Sequence, residues 1–97
     1  MQTGSYVGNG EYGIDNPTTI TFDFEPKIVF VMIENTQEES WYTDVCVMIR
    51  GCNAVKSTTG NAVEARWSGN SVSVWHDAYA YRQNNGEGAV YTYLALG

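Results

Sequence analysis

The apolar residues of this chain recur at period two or in short unbroken runs. They do not fall at the 3.6-residue spacing of an amphipathic helix. Clusters of Gly, Asn and Pro interrupt them at short intervals, as in Gly8-Asn9-Gly10, Asn16-Pro17 and Ser68-Gly69-Asn70. That punctuation ends strands and makes turns, so the expected fold class is all-β: a compact antiparallel β-sandwich of about six to eight strands. The 97 residues make one domain, 1–97. Its core is small, because a chain of this size buries only roughly two-thirds of its unfolded surface.

The strands can be placed by pattern. Ser5 to Val7 opens the fold. Thr19 to Phe24 alternates, with Ile20, Phe22 and Phe24 inward and Thr19, Thr21 and Asp23 outward. Pro26 ends it, since proline cannot donate to a ladder. Lys27 to Ile33 and Val45 to Ile49 are unbroken apolar runs, too short and too β-branched for helices. Ala62 to Trp67 and Ser71 to Trp75 form a hairpin closed at Ser68-Gly69-Asn70. Tyr79 to Gln83 reads as a short extended strand, and Ala89 to Leu96 closes the fold. In that last strand Val90, Leu94 and Leu96 are assigned to the core, and Tyr91, Tyr93 and Ala95 to the opposite face.

Three of these strands are apolar on both faces, whereas a small two-layer sandwich normally wets its outer faces. A second surface is therefore covered. Another copy of the chain is the economical cover; the alternative is that the loop Glu34 to Asp44 folds over it.

Charge excludes several partners. Five Lys and Arg against eleven Asp and Glu give a net charge of −6. Dispersed basic residues in an acidic chain argue against nucleic acid and against anionic lipid. No stretch approaches the roughly 20 apolar residues of a membrane helix, so no membrane insertion is expected. The N-terminal segment has neither the basic nor the apolar region of a signal peptide. Cys46 and Cys52 do not match a redox or zinc spacing. They either pair across a bend or remain buried thiols.

Catalytic chemistry is hard to build from this residue set. His76 is the one histidine, with Asp77 or Asp44 as its candidate carboxylate, and there is no nucleophile elbow. The carboxylates Asp23, Glu25, Glu34, Glu38, Glu39, Asp44, Glu64 and Asp77 fall in expected loops or on solvent faces, with little room for a glycosidase cleft. Glu34, Glu38 and Glu39 match no calcium loop. Gly8-Asn9-Gly10 and Gly86-Glu87-Gly88 carry no P-loop lysine. No enzyme activity, cofactor or metal is expected.

The aromatic residues remain. Val72 and Val74 point inward, so parity turns Ser71, Ser73 and Trp75 outward. Trp75, His76, Asp77, Tyr79 and Tyr81 then cluster on a polar stretch, with Asn84 beside them. Aromatic faces stack on the C–H face of a sugar while amides and carboxylates take its hydroxyls. Trp75 is the central anchor of this candidate carbohydrate site. Trp41 and Tyr42, at the rim of the acidic loop, form a rival platform. Packing beneath loops or at a subunit contact is the bland explanation for the Trp75 to Tyr81 set.

Gly4-Ser5-Tyr6-Val7-Gly8-Asn9-Gly10, Tyr12-Gly13, Asn16-Pro17, the stretch Ile20 to Phe30, Trp67-Ser68-Gly69-Asn70-Ser71-Val72, Gln83-Asn84 and the closing Tyr91-Thr92-Tyr93-Leu94-Ala95-Leu96-Gly97 occur in that order. Together they resemble the C-terminal receptor-binding, host-recognition domain of phage and prophage tail proteins from Gram-positive gut bacteria. The overall plan is also similar to the H-type lectin fold. Residues 34–56 depart most from that pattern. The resemblance implies a homotrimer, a virion location in the phage tail, and recognition of a bacterial cell-surface glycan without catalysis. A structural, trimerising cap of a tail fibre is the competing expectation, and a small glycoside hydrolase a remote third.

Overall fold

A computed structural model describes residues 1–33, 45–52, 54–56 and 62–97. The described chain is all-β, with one short 3-10 helix. In chain order the strands are β1 (Gln2–Val7), β2 (Thr18–Thr21), β3 (Ile28–Ile33), β4 (Val45–Ile49), β5 (Ala54–Lys56), β6 (Ala62–Ser68), β7 (Ser71–Trp75) and β8 (Val90–Leu96). They form two four-stranded antiparallel sheets, ordered β1-β8-β3-β4 and β2-β7-β6-β5. No helix among the described residues is long and apolar enough to cross a membrane.

Alternation builds the core from both sheets. Val29, Val31, Cys46, Met48, Tyr91 and Ala95 come from the first sheet. Ile20, Val63, Ala65, Val72 and Val74 come from the second. Phe22, just past β2, sits edge-on to Tyr93 of the facing sheet with ring centroids 5.5 Å apart. The β6–β7 hairpin closes on Gly69 and Asn70, with Gly69 at φ +56°. A glycine at the first central position suits the twist of a two-residue hairpin.

The last strand faces the other way from the sequence expectation. Tyr91 and Ala95 are buried in the core and Tyr93 packs against it, whereas Val90, Thr92, Leu94 and Leu96 lie on the outer face. The physical reason is that this core accommodates tyrosines. Tyr6 stacks on Tyr91 at 5.3 Å, and each hydroxyl is satisfied: Tyr6 Oη donates to the Asn84 carbonyl at 2.8 Å, and Tyr91 Oη accepts from the Gly86 N–H at 2.8 Å. Gly4 pairs with Tyr93 across β1 and β8, and a Cβ at Gly4 would overlap the Tyr93 phenol. One further expectation is corrected. Tyr79 to Gln83 is not a strand: Ala80–Gln83 is the 3-10 helix. The open question of the cysteines is answered as well: no disulfide joins Cys46, which is buried in the core, to Cys52, which is exposed.

Gly4→Val should force the Tyr93 ring from its place. The expected loss is about 1 to 3 kcal/mol, the usual cost of overpacking, read as a lower urea midpoint with an unchanged slope. A neutral Gly4→Val would show that Tyr93 does not depend on the empty space at residue 4.

Candidate functional site

β7 ends at Trp75, and the chain then turns back as residues 76–89 before entering β8. The amide of Gln83 holds this segment. Gln83 is fully buried. Its Oε1 accepts from the Gly13 N–H (3.0 Å) and the His76 N–H (2.9 Å), and its Nε2 donates to the Asn16 carbonyl (3.0 Å) and Thr18 Oγ1 (3.2 Å). Both lone-pair sites and both N–H bonds are used, so the buried amide carries no unpaired polar group. One residue thereby ties the turn after β7 to the loop that leads into β2. Asn85 makes a second tie. Its side chain accepts from the Asn9 N–H (3.0 Å) and donates to the Glu11 carbonyl (2.9 Å) and to Asn9 Oδ1.

His76 organises the next turn. Its Nδ1 accepts from the N–H groups of Ala78 and Tyr79, each at 3.1 Å. A ring nitrogen that accepts twice carries no proton, so the proton of the neutral ring is on Nε2. Burial pushes the His76 pKa down, and the Arg82 guanidinium adds to this, while Asp77 pulls the other way. The turn thus holds a neutral imidazole. Burial likewise pushes the Tyr6 hydroxyl up, the nearby Tyr91 adding to it, so Tyr6 stays a donor to Asn84.

The surface above this frame is aromatic and cationic. The rings of His76 and Tyr79 lie 5.7 Å apart, and those of Tyr79 and Tyr81 5.3 Å apart. The Arg82 guanidinium sits 4.8 Å from the Tyr79 centroid and 5.8 Å from that of Tyr81. Tyr79 is 47% exposed, and Asp77 is exposed beside it. Among the described residues no carboxylate lies within ion-pair distance of Arg82, and none form a metal-holding cluster.

The structure brings together His76, Asp77, Tyr79 and Tyr81, and separates from them Trp75, assigned by parity, and Asn84, assigned as a hydroxyl partner. Trp75 is not an outward anchor but is buried, with 9% exposure. Its outward parity is offset by neighbours: the Arg66 guanidinium covers the ring at 5.3 Å, and the 3-10 helix packs against β6 and β7. Asn84 is also buried. It adopts φ 60° at the end of the 3-10 helix, and its backbone N–H bonds back to Tyr81, so it closes a turn and does not reach solvent as a hydroxyl partner. Trp41 and Tyr42, with Glu34, Glu38, Glu39 and Asp44, lie outside the described residues. Arg82 and Gln83 are what the sequence reading missed. Side chains three apart superimpose in a 3-10 turn, which places Arg82 over Tyr79. A strand assignment sends them to opposite faces. The available signal was the run Tyr79-Ala80-Tyr81-Arg82-Gln83-Asn84-Asn85-Gly86, whose Asn-Asn-Gly end belongs to a turn.

Comparison with known proteins found no matching protein-family model, no matching curated protein and no matching solved structure.

Two outcomes test the frame. Gln83→Leu strands the Gly13 and His76 N–H groups and should cost about 3 kcal/mol or more, given roughly 1 to 3 kcal/mol for each unsatisfied buried group. Chemical denaturation reads it, and a loss below about 1 kcal/mol would show that water replaces the amide. The depressed His76 pKa makes the unfolded chain bind the proton more readily than the folded one. The His76 contribution is then complete above its ordinary value near 6.5 and declines as the pH falls below it. His76→Asn keeps a side-chain acceptor for the same N–H groups. Thermal melts between pH 7.5 and pH 5 (roughly spanning the unperturbed histidine value) should show a shallower acid loss for the variant.

Proposed function

We propose that this chain is a non-catalytic binding domain that recognises a bacterial cell-surface carbohydrate through the surface formed by His76, Asp77, Tyr79, Tyr81 and Arg82. The observation that carries the reading is the Arg82 guanidinium stacked on exposed Tyr79, on a turn fixed by a fully satisfied buried amide. Tyrosine faces offer apolar area for the C–H face of a sugar at little entropic cost. The guanidinium offers a planar fork of donors for hydroxyl or acid groups. A ligand bearing an acidic substituent suits it best, because within an acidic chain this cation has no carboxylate partner among the described residues. The order of motifs from Gly4 to Gly97 supports placing such a domain at the tip of a phage tail, in the virion, with a plan similar to H-type lectins.

The competing reading is a structural cap of a tail fibre that binds no ligand. It is favoured by the apolar outer face of the β1-β8-β3-β4 sheet, a surface suited to assembly and not to sugar. An array of bacterial surface polysaccharides separates the two. Under the carbohydrate reading some glycans bind, and both Tyr79→Ala and Arg82→Gln weaken them by about 1 to 3 kcal/mol, or roughly 5- to 150-fold in Kd, with melting temperature nearly unchanged. An array without hits from folded protein favours the cap. Release of reducing sugar from any hit would revive hydrolysis.

A further inference from the structure

The two sheets treat their outer faces differently. On the β2-β7-β6-β5 sheet the outward positions include Thr19, Thr21, Glu64, Arg66, Ser71 and Ser73, an ordinary wetted face. On the β1-β8-β3-β4 sheet the outward side chains line up in rows across the strands. Leu96, Ile28 and Ile49 form one row, Leu94, Phe30 and Val47 the next, and Thr92, Met32 and Val45 the third. β1 extends these rows with Thr3 and Ser5 and adds Val7 opposite Val90. Val7 is 64% exposed, Ile49 52% and Met32 46%. No charged side chain stands at any of these positions.

We infer that this face is the contact between copies of the chain, packing sheet against sheet in a homo-oligomer. Strands about 4.8 Å apart, rising about 3.3 Å per residue, give a four-stranded face some 400 Å² of flat area. Interrupted only by Thr3, Ser5 and Thr92, a face of that size matches the largest apolar patches of soluble domains, which are often interaction sites. Two such faces bring together about 800 Å² of flat area, and side-chain relief carries the accessible area towards the lower bound of specific interfaces, about 1,200 Å². Charge selects the occupant. Each copy carries −6, so two copies repel except where no charge is displayed, and this face displays none. An apolar face is also complementary to itself, as an isologous contact requires. An anionic membrane is disfavoured, because the outward rows carry no basic residue to offset the acidic chain. The contact shares no residue with the Tyr79–Arg82 surface, and the inference does not rest on the carbohydrate reading.

The test is the mass in solution of the whole chain, by light scattering behind size exclusion, with reductant present to keep exposed Cys52 from cross-linking. At tens of micromolar the expected mass is at least twice 10.8 kDa. The double variant Val7→Glu, Ile49→Glu should fall to 10.8 kDa while keeping its β-type circular dichroism and cooperative melt. Thr21→Glu, on the wetted face, should leave the mass unchanged. A wild-type monomer would overturn the inference, as would a folded double variant that keeps the oligomer mass. If the double variant does not fold, Val7→Glu alone decides: at least a tenfold rise in the oligomer's dissociation constant supports the contact, and an unchanged constant overturns it.

Discussion

The amide of Gln83 has all of its hydrogen-bonding groups engaged inside the protein, and the turn beyond β7 depends on it. A buried primary amide is costly unless every group is paired. Here the pairing partners are His76, in the same turn, and Gly13, Asn16 and Thr18, which are distant in sequence. The arrangement forms only when the loop before β2 and the turn after β7 have both adopted their native paths. His76 is held by that amide through its backbone and uses its ring to hold the next turn. Tyr79 and Arg82 inherit their positions from this chain of bonds. A cluster on a short turn is thereby tied to the body of the fold, which lowers the ordering cost of binding.

The sandwich itself rests on a division of labour between its sheets. Tyrosine and glycine share the interior of the first sheet, where Gly4 leaves space for the Tyr93 phenol and Tyr6 lies flat on Tyr91. Aliphatic side chains that would ordinarily fill a core, Leu94 and Ile28 among them, are left for the outside. The second sheet follows the usual pattern of apolar within and polar without. The acidic composition and the apolar outer face are then compatible, since the charge of the described strands is confined to the other sheet.

Much of the fold was legible from the sequence, and the failures lie where side chains of other segments decide. Val45 to Ile49 and the Ser68–Asn70 turn were placed by pattern, because β-branched runs and a glycine at a hairpin tip constrain the backbone locally. The two-faced apolar strands leave an apolar outer face on the first sheet. What pattern could not decide was which face of a two-faced strand points inward. The last strand offered Val90, Leu94 and Leu96 against Tyr91, Tyr93 and Ala95. The choice was settled by Gly4 and Asn84, residues of other segments. Trp75 failed differently: its parity is outward, as read, but Arg66 covers the ring. The candidate site was legible as a stretch, residues 76–81, but not as a shape. Arg82 joins Tyr79 only because the backbone coils there, and that coil is held by partners from residues 13 to 18.

β8 lies between β1 and β3 in the first sheet. The opening strand therefore has no neighbour until the closing strand arrives, and a loop spanning nearly the whole chain must close first. Such non-local pairing is slow to form. During synthesis residues 2–7 leave the ribosome long before their partner residues 90–95 do. The row that unites Leu94 with Phe30 and Val47 is likewise absent from an unfinished chain. The interior, which needs Tyr91 and Ala95, and the sticky surface are thus completed together by the last strand, and a nascent chain offers its neighbours on a polysome only fragments of that surface.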